Sequence, residues 1–321
     1  MESLQNIKKR IRAVSNIHQI TKAMELVAAT KMRKSQQIAL DSRPYSFAAL
    51  ELLANLSIIE EIRKEDLPPL FQKREDIKKV LFVLVASDKG LVGAFNNIVF
   101  KKFERHRQKE KEEWKKEEKL YVAVGEKAFS YLKRKGFPVL KKFIQVGDYT
   151  SFEQTKPLAE FLMKGYLNRE WDRVIIISMN FRSALKQEPH VRRILPVDFD
   201  HLAETIVEII PERGKFAELI KEQNISFVPN KNELKDYLIE PYPKIVLSKL
   251  SEHLFFTQVY QLILEANASE HAARRLAMKN ASDNAIKLKD ILNLQYNKSR
   301  QAVITKEITE ITAGAESLLL L

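Results

Sequence analysis

The sequence predicts an α/β protein in which a long antiparallel coiled coil of the N- and C-terminal helices is joined to a small α/β domain. Three observations predict it. Glycine and proline are scarce, 8 and 11 in 321 residues, which favours long helices over a turn-rich β fold. Both ends of the chain contain long runs free of either residue. Between them, short apolar runs alternate with charged, helix-like stretches, the pattern of buried strands and covering helices.

The first 43 residues hold no glycine or proline, and Pro44 ends the run. Leu4, Ile7, Ile11, Val14, Ile17, Ile20, Met24 and Val27 recur three or four apart, which places them on one face of a helix. Their mean step falls slightly under 3.5, so the expectation is two-helix packing with drift, not a regular zipper. The other face is basic, with Lys8, Lys9, Arg10, Arg12, Lys22, Lys31, Arg33 and Lys34.

The middle of the chain changes period. Val80–Ala86, Leu120–Gly125 and Val174–Ser178 are short apolar runs, the first ending in a Ser-Asp-Lys-Gly turn. Helical stretches are expected near 96–118, 126–135 and 155–168. Buried strands alternating with helices make a small Rossmann-like α/β sheet. Residues 101–119 are dense in Lys and Glu, as a solvated helix face would be. Residues 198–243 suggest only a short helix and loops.

From Lys244 to Ala313 neither glycine nor proline appears, with Pro243 and Gly314 as bounds. Seventy helical residues would span about 105 Å. A helix of that length implies a coiled coil, a membrane span or a repeat; it is too polar for a span and shows no repeat. Ala273, Ala277, Ala281 and Ala285 form a row of methyl groups that would let a second helix approach closely. The N-terminal helix is the natural partner, and a domain joining the two makes them antiparallel. The expected organisation is an N-terminal shaft helix over 1–66, an α/β domain over 76–215, a connecting region over 216–243 and a C-terminal shaft helix over 244–321.

Composition narrows the function. A net charge of +12 points to an acidic partner: nucleic acid, an anionic membrane surface or acidic protein loops. Without cysteine there is no disulfide, thiolate catalysis, zinc finger or iron–sulfur ligation. The start of the chain lacks the apolar stretch of a signal peptide, and no run of eighteen apolar residues occurs, so membrane contact is expected only through partners. Gly90-Leu91-Val92-Gly93 follows a strand as a phosphate loop might, but G-x-G-x-x-G and G-x-x-x-x-G-K-[ST] are both missing. The six histidines form no zinc-like spacing; His271, beside Glu270, suits packing or surface better than ligation. No catalytic, cofactor or metal site is expected. Over residues 1–43 nine Lys/Arg face three Asp/Glu, with no Phe, Tyr or Trp before Tyr45. Single-strand nucleic-acid binding would want aromatics among those cations, so acidic protein loops fit better.

Several segments together resemble a known family. Ile20-Thr21-Lys22-Ala23-Met24-Glu25-Leu26-Val27-Ala28-Ala29 with Lys31-Met32-Arg33, and Ser87-Asp88-Lys89-Gly90-Leu91-Val92-Gly93-Ala94-Phe95-Asn96, resemble the gamma subunit of F-type ATP synthases. So do Ala268–Arg274, Met278–Ala285, Tyr296–Ala302, Ile304–Ile308 and Gly314–Glu316. The resemblance runs through the whole chain in order, closer at the ends than from about 98 to 240.

It implies a central rotor of the proton-translocating enzyme, non-catalytic by itself, coupling ion flow through the membrane ring to the cycling of catalytic beta subunits. The implied partners are alpha and beta subunits in a hexameric ring, the epsilon subunit and the c-subunit ring. The implied location is peripheral, on the cytoplasmic face of a bacterial membrane. Lys22, Met24, Arg274, Arg300, Gln301, Thr305 and Glu307 would face beta loops and an upper bearing, and Lys89 to Val92 would lie near acidic beta loops. The family often has Cys and a second Gly where this chain has Val92 and Ala94, and the cysteine-bearing insertion of chloroplast members is missing. The rival classes are a basic coiled-coil scaffold for nucleic acid or an anionic membrane surface, and a nucleotide-dependent enzyme on the α/β domain.

Overall fold

The computed structural model describes residues 3–41, 68–72, 74, 76–113, 117–146, 150–197, 240 and 242–319. In order these form α1 (Leu4–Asp41), β1 (Lys79–Val85), α2 (Phe95–Glu113), β2 (Glu118–Val124), α3 (Glu126–Arg134), β3 (Val139–Phe143), α4 (Phe152–Leu167), β4 (Arg173–Phe181), β5 (Gln187–Leu195) and α5 (Pro243–Leu319). Two compact units emerge, one of residues 1–29 and 274–321, the other of residues 30–273. The division cuts both terminal helices, so parts of the expected shaft segments belong with the α/β unit. The shaft expectation over 42–66 and most of the 198–243 region lie outside the described residues.

In the smaller unit, Ser3 starts α1 by accepting a hydrogen bond from the Asn6 amide, 3.3 Å. Ile7, Val14, Glu25 and Ala28 are buried, while Leu4, Ile11, His18 and Thr21 are half-buried. Those eight positions alternate steps of three and four, a strict heptad, which corrects the expected drift. Ile17, Ile20 and Val27 are 51%, 59% and 55% exposed, so the apolar stripe read from sequence leaves the packed face after Val14. Steps of 3, 3 and 4 from Val14 to Met24 fall one residue short of the 4, 3 and 4 that lead through His18 and Thr21 to Glu25, so His18 stays in phase and Ile17 does not.

On α5, Met278, Ser282, Ala285 and Leu292 are buried with the same alternation. Ile11 and Val14 pack with Ala285 and Leu292, and His18 hydrogen-bonds Ser282 at 2.9 Å. Lower numbers on α1 meet higher numbers on α5, so the pair is antiparallel. Of the alanine row, only Ala285 lies in this seam; Ala277 and Ala281 are half-buried beside it, and Ala273 packs in the other unit. An i, i+4 row drifts around the helix, and the seam follows the heptad instead.

The larger unit is a five-stranded sheet ordered β3-β2-β1-β4-β5. β1 pairs in parallel with β2 and β4, β2 with β3, and β5 is antiparallel to β4. Alternation along β1 sends Leu81, Val83 and Val85 into one core with α4 and the first part of α5, where Leu158, Leu162, Phe255, Val259 and Ile263 meet them. Val80, Phe82 and Leu84 face the other core with Val99 and Phe103 of α2 and Ala128 and Leu132 of α3. Ser151 caps α4 in a reciprocal pair with Gln154. Residues 261–270 of α5 are all buried, polar ones included. Asn267 there donates to the Val146 carbonyl at 2.9 Å and to the Thr150 hydroxyl. His271, 1% exposed, is a packing residue.

Candidate functional site

The residues singled out from sequence fall in three places. Lys22, Met24 and Arg274 lie at one end of the two-helix unit, where its segments 1–29 and 274–321 stop and start. The His18–Ser282 register brings Met24 level with Arg274 and its neighbours. Lys22 is 53% exposed at its side chain and reaches Glu25 at 3.0 Å, so its ammonium is tethered at the surface of α1. Met24 is half-buried at the edge of the seam, and Arg274 is half-buried on α5. Along α1, Lys8, Lys9, Arg10, Arg12, Arg33 and Lys34 are exposed, giving the helix a basic outer face.

Arg300, Gln301, Thr305 and Glu307 occupy a different stretch. In the same register Leu4 stands near Tyr296, so α5 runs on beyond the start of α1. Every residue from 301 to 315 is exposed, and Val303, Ile304, Ile308 and Ile311 are apolar among them. Glu307 is 33 residues from Arg274 along a continuous helix, about 50 Å. These two groups cannot meet one partner loop.

Lys89 and Val92 lie in the larger unit, on the loop between β1 and α2. Lys89 is exposed, but Val92 is 3% exposed and packed in the core under α2. Its side chain has no surface to offer a partner, which corrects its place among contact residues. The projecting side chain is Leu91, 58% exposed and held at φ 64, in the left-handed region.

This loop is tied down by its polar residues. The Ser87 amide donates to Asn96 Oδ1 at 3.1 Å, and the Ser87 hydroxyl donates to the Lys89 carbonyl at 2.7 Å. Asp88, in the Ser-Asp turn that follows the strand, does most of this tying. One of its oxygens accepts from the Glu126 amide at the start of α3, the other from the Gln145 amide after β3, both at 3.0 Å. Gly125 lets these elements meet: at φ 91, a Cβ there would sit 2.0 Å from the Ala86 carbonyl oxygen. Asp88 therefore places its carboxylate at the N-terminus of α3, where a negative charge is favoured.

Comparison with known proteins places this geometry. A family model described as ATP synthase matches residues 3–318. The ATP synthase gamma chain of Chlorobaculum parvum is 35% identical over 319 residues, covering 99% of each chain. That of Chlorobium limicola is 33% identical over the same length and coverage.

The chain belongs to the ATP synthase gamma-chain family.

The gamma-chain fold recurs in solved structures too distant to carry more than fold. A chain from the OSCP/F1/c-ring structure of the Euglena gracilis mitochondrial ATP synthase aligns with TM-score 0.59 at 18% identity, covering 98% of this chain and 94% of that one. One from the central stalk/c-ring of the Tetrahymena thermophila enzyme aligns at 0.56 and 22% identity, covering 82% and 99%. The alternative of a basic scaffold for nucleic acid or membrane gains no support from these likenesses. Among the described residues, no helix is long and apolar enough to cross a membrane.

Proposed function

We propose that this gamma chain is the central rotor of an F-type ATP synthase, non-catalytic by itself, held among alpha and beta subunits and joined to an epsilon subunit and a c-subunit ring. It would sit peripherally on the cytoplasmic face of a bacterial membrane, touching the bilayer only through those partners. The observation that supports this most is the antiparallel two-helix unit with a basic outer face, in a chain that matches gamma chains from end to end.

The chemistry follows from asymmetry. One helix pair inside a ring of three catalytic pairs presents each with different contacts. A partner shifts a conformational equilibrium only by its differential affinity for the two states. Turning the pair exchanges those contacts among the three sites. Lys22, Met24 and Arg274 would meet beta loops, Arg300 to Glu307 the bearing, and Lys89 with Leu91 acidic loops at the foot of the ring. Exposed ion pairs are each worth about 0–1 kcal/mol, enough in sum to couple and little enough singly to be exchanged.

Co-expression with alpha and beta subunits tests the assignment. The expected result is a stable complex that hydrolyses ATP, and a purified gamma chain with no turnover. Failure to co-purify, or ATP turnover by the chain alone, would reject it.

A further inference from the structure

Helix α1 carries two adjacent stripes between residues 17 and 28. Ile17, Ile20, Met24 and Val27 form one; His18, Thr21, Glu25 and Ala28 form the other, each displaced by one residue. One residue is a rotation of about 100° about the helix axis. By apolar burial alone the first stripe should face α5. The structure does the reverse: Ile17, Ile20 and Val27 are more than half exposed, while Glu25 is 9% and Ala28 1% exposed.

Two things favour the polar stripe. It continues the 3–4 alternation of Leu4, Ile7, Ile11 and Val14, whereas the apolar stripe needs consecutive steps of three and local overwinding. It also has its polar groups satisfied. The His18 ring nitrogen pairs with the Ser282 hydroxyl across the seam at 2.9 Å, with Ser282 3% exposed. The Thr21 hydroxyl donates to the Ile17 carbonyl at 2.9 Å, and Lys22 holds Glu25. Of these bonds, His18 to Ser282 is the one that joins the two helices. A polar pair at a seam position fixes register at a cost in stability.

We infer that His18 and Ser282 are positioning residues that select which face of α1 packs against α5, so that the apolar stripe of Ile17, Ile20 and Val27 is kept outward. Without the bond, a buried polar atom is left at the seam and the apolar stripe becomes the better-packed face. The segment then turns by one residue. This inference concerns the chain's own two helices and does not depend on the rotor assignment.

The chain has no cysteine, so single introduced thiols report each face cleanly. In the full-length chain, Ile20→Cys should react rapidly with a maleimide and Thr21→Cys slowly. Adding His18→Ala or Ser282→Ala should reverse that order, each rate changing on the order of tenfold as the population moves between the two faces. His18→Gln, which can still bond the Ser282 hydroxyl, should restore the parent order. An unchanged order in both alanine variants means the bond does not select the face. Two fast thiols mean the segment unfolds instead of turning, and two slow ones mean both faces are covered. Each of these results, or failure of His18→Gln to rescue, overturns the inference.

Discussion

Arg74 lies over the ring of Tyr166, its guanidinium carbon 4.3 Å from the centroid, and donates from one end to the Asp172 carboxylate at 2.6 Å and to the Trp171 carbonyl at 3.0 Å. One side chain thereby joins the segment before β1 to the end of α4 and the start of β4. Asp172 also accepts from the Lys78 and Lys79 amides at 2.9 and 3.0 Å. Burial works to raise the Asp172 carboxyl, but the bonds from Arg74 and the two amides outweigh it and hold it below the usual aspartate value.

A carboxyl depressed by folding stabilises the fold above its unfolded pKa, and that contribution disappears as pH falls through the lower folded value. The unfolded value is near 3.9, so the loss should begin below about pH 4. Asp172→Asn should cost about 2 kcal/mol at neutral pH, in the range of hydrogen bonds to charged groups, and should flatten the acid limb. Thermal melts of the two proteins from pH 7 down to pH 3 check both effects.

Gly165 on α4 stands against the Trp171 ring, where a Cβ would come within 2.0 Å of a ring carbon. Trp171 cannot easily retreat, since its indole nitrogen donates to the Leu162 carbonyl at 3.0 Å in a buried site. Gly165→Ala should therefore destabilise by about 1–3 kcal/mol through overpacking, despite the higher helix propensity of alanine. Urea unfolding should show a lower midpoint and a shifted tryptophan emission in the native state.

Removing the Asp88 carboxylate leaves two backbone amides without their acceptor. Asp88→Ala should cost about 2 kcal/mol. The sharper readout is hydrogen exchange, which should accelerate at Glu126 and Gln145 while amides in the middle of β1 keep their protection.

Met24 sits at the edge of the seam, beside Lys22 and level with Arg274. In the assembled complex Met24→Lys should add an ion contact with a beta loop in some rotational positions and not in others. The expected outcome is fewer protons pumped per ATP hydrolysed, with chain stability little changed. Equal pumping per ATP in the variant would remove Met24 from the contact.

The parallel core of the sheet was legible in the sequence because β1, β2 and β4 are buried on both faces and read as unbroken apolar runs. The edges were not. β3 has Lys141 and Lys142 in succession, because an edge strand needs little apolar content and charge there discourages pairing with other chains. β5 contains Pro189 and two arginines, yet its register with β4 makes it a strand, and Arg192 is buried 3.9 Å from Glu265 of α5. The shaft positions were legible as helix, since the glycine- and proline-free runs fix that much. Which face packs was not, because the choice between Ile17 and His18 depends on a residue 264 positions away. Val92 was misplaced for a similar reason. A turn motif shows which residues form the loop, but whether a side chain points in or out depends on the helix that packs over it.

The stapling of the turn after β1 bears on how fast it could find a partner. With Ser87 and Asp88 already bonded to their neighbours and Leu91 fixed by its backbone, docking there would require little ordering of the loop. Engagement at that point would be limited by encounter and orientation, with no folding delay at each meeting.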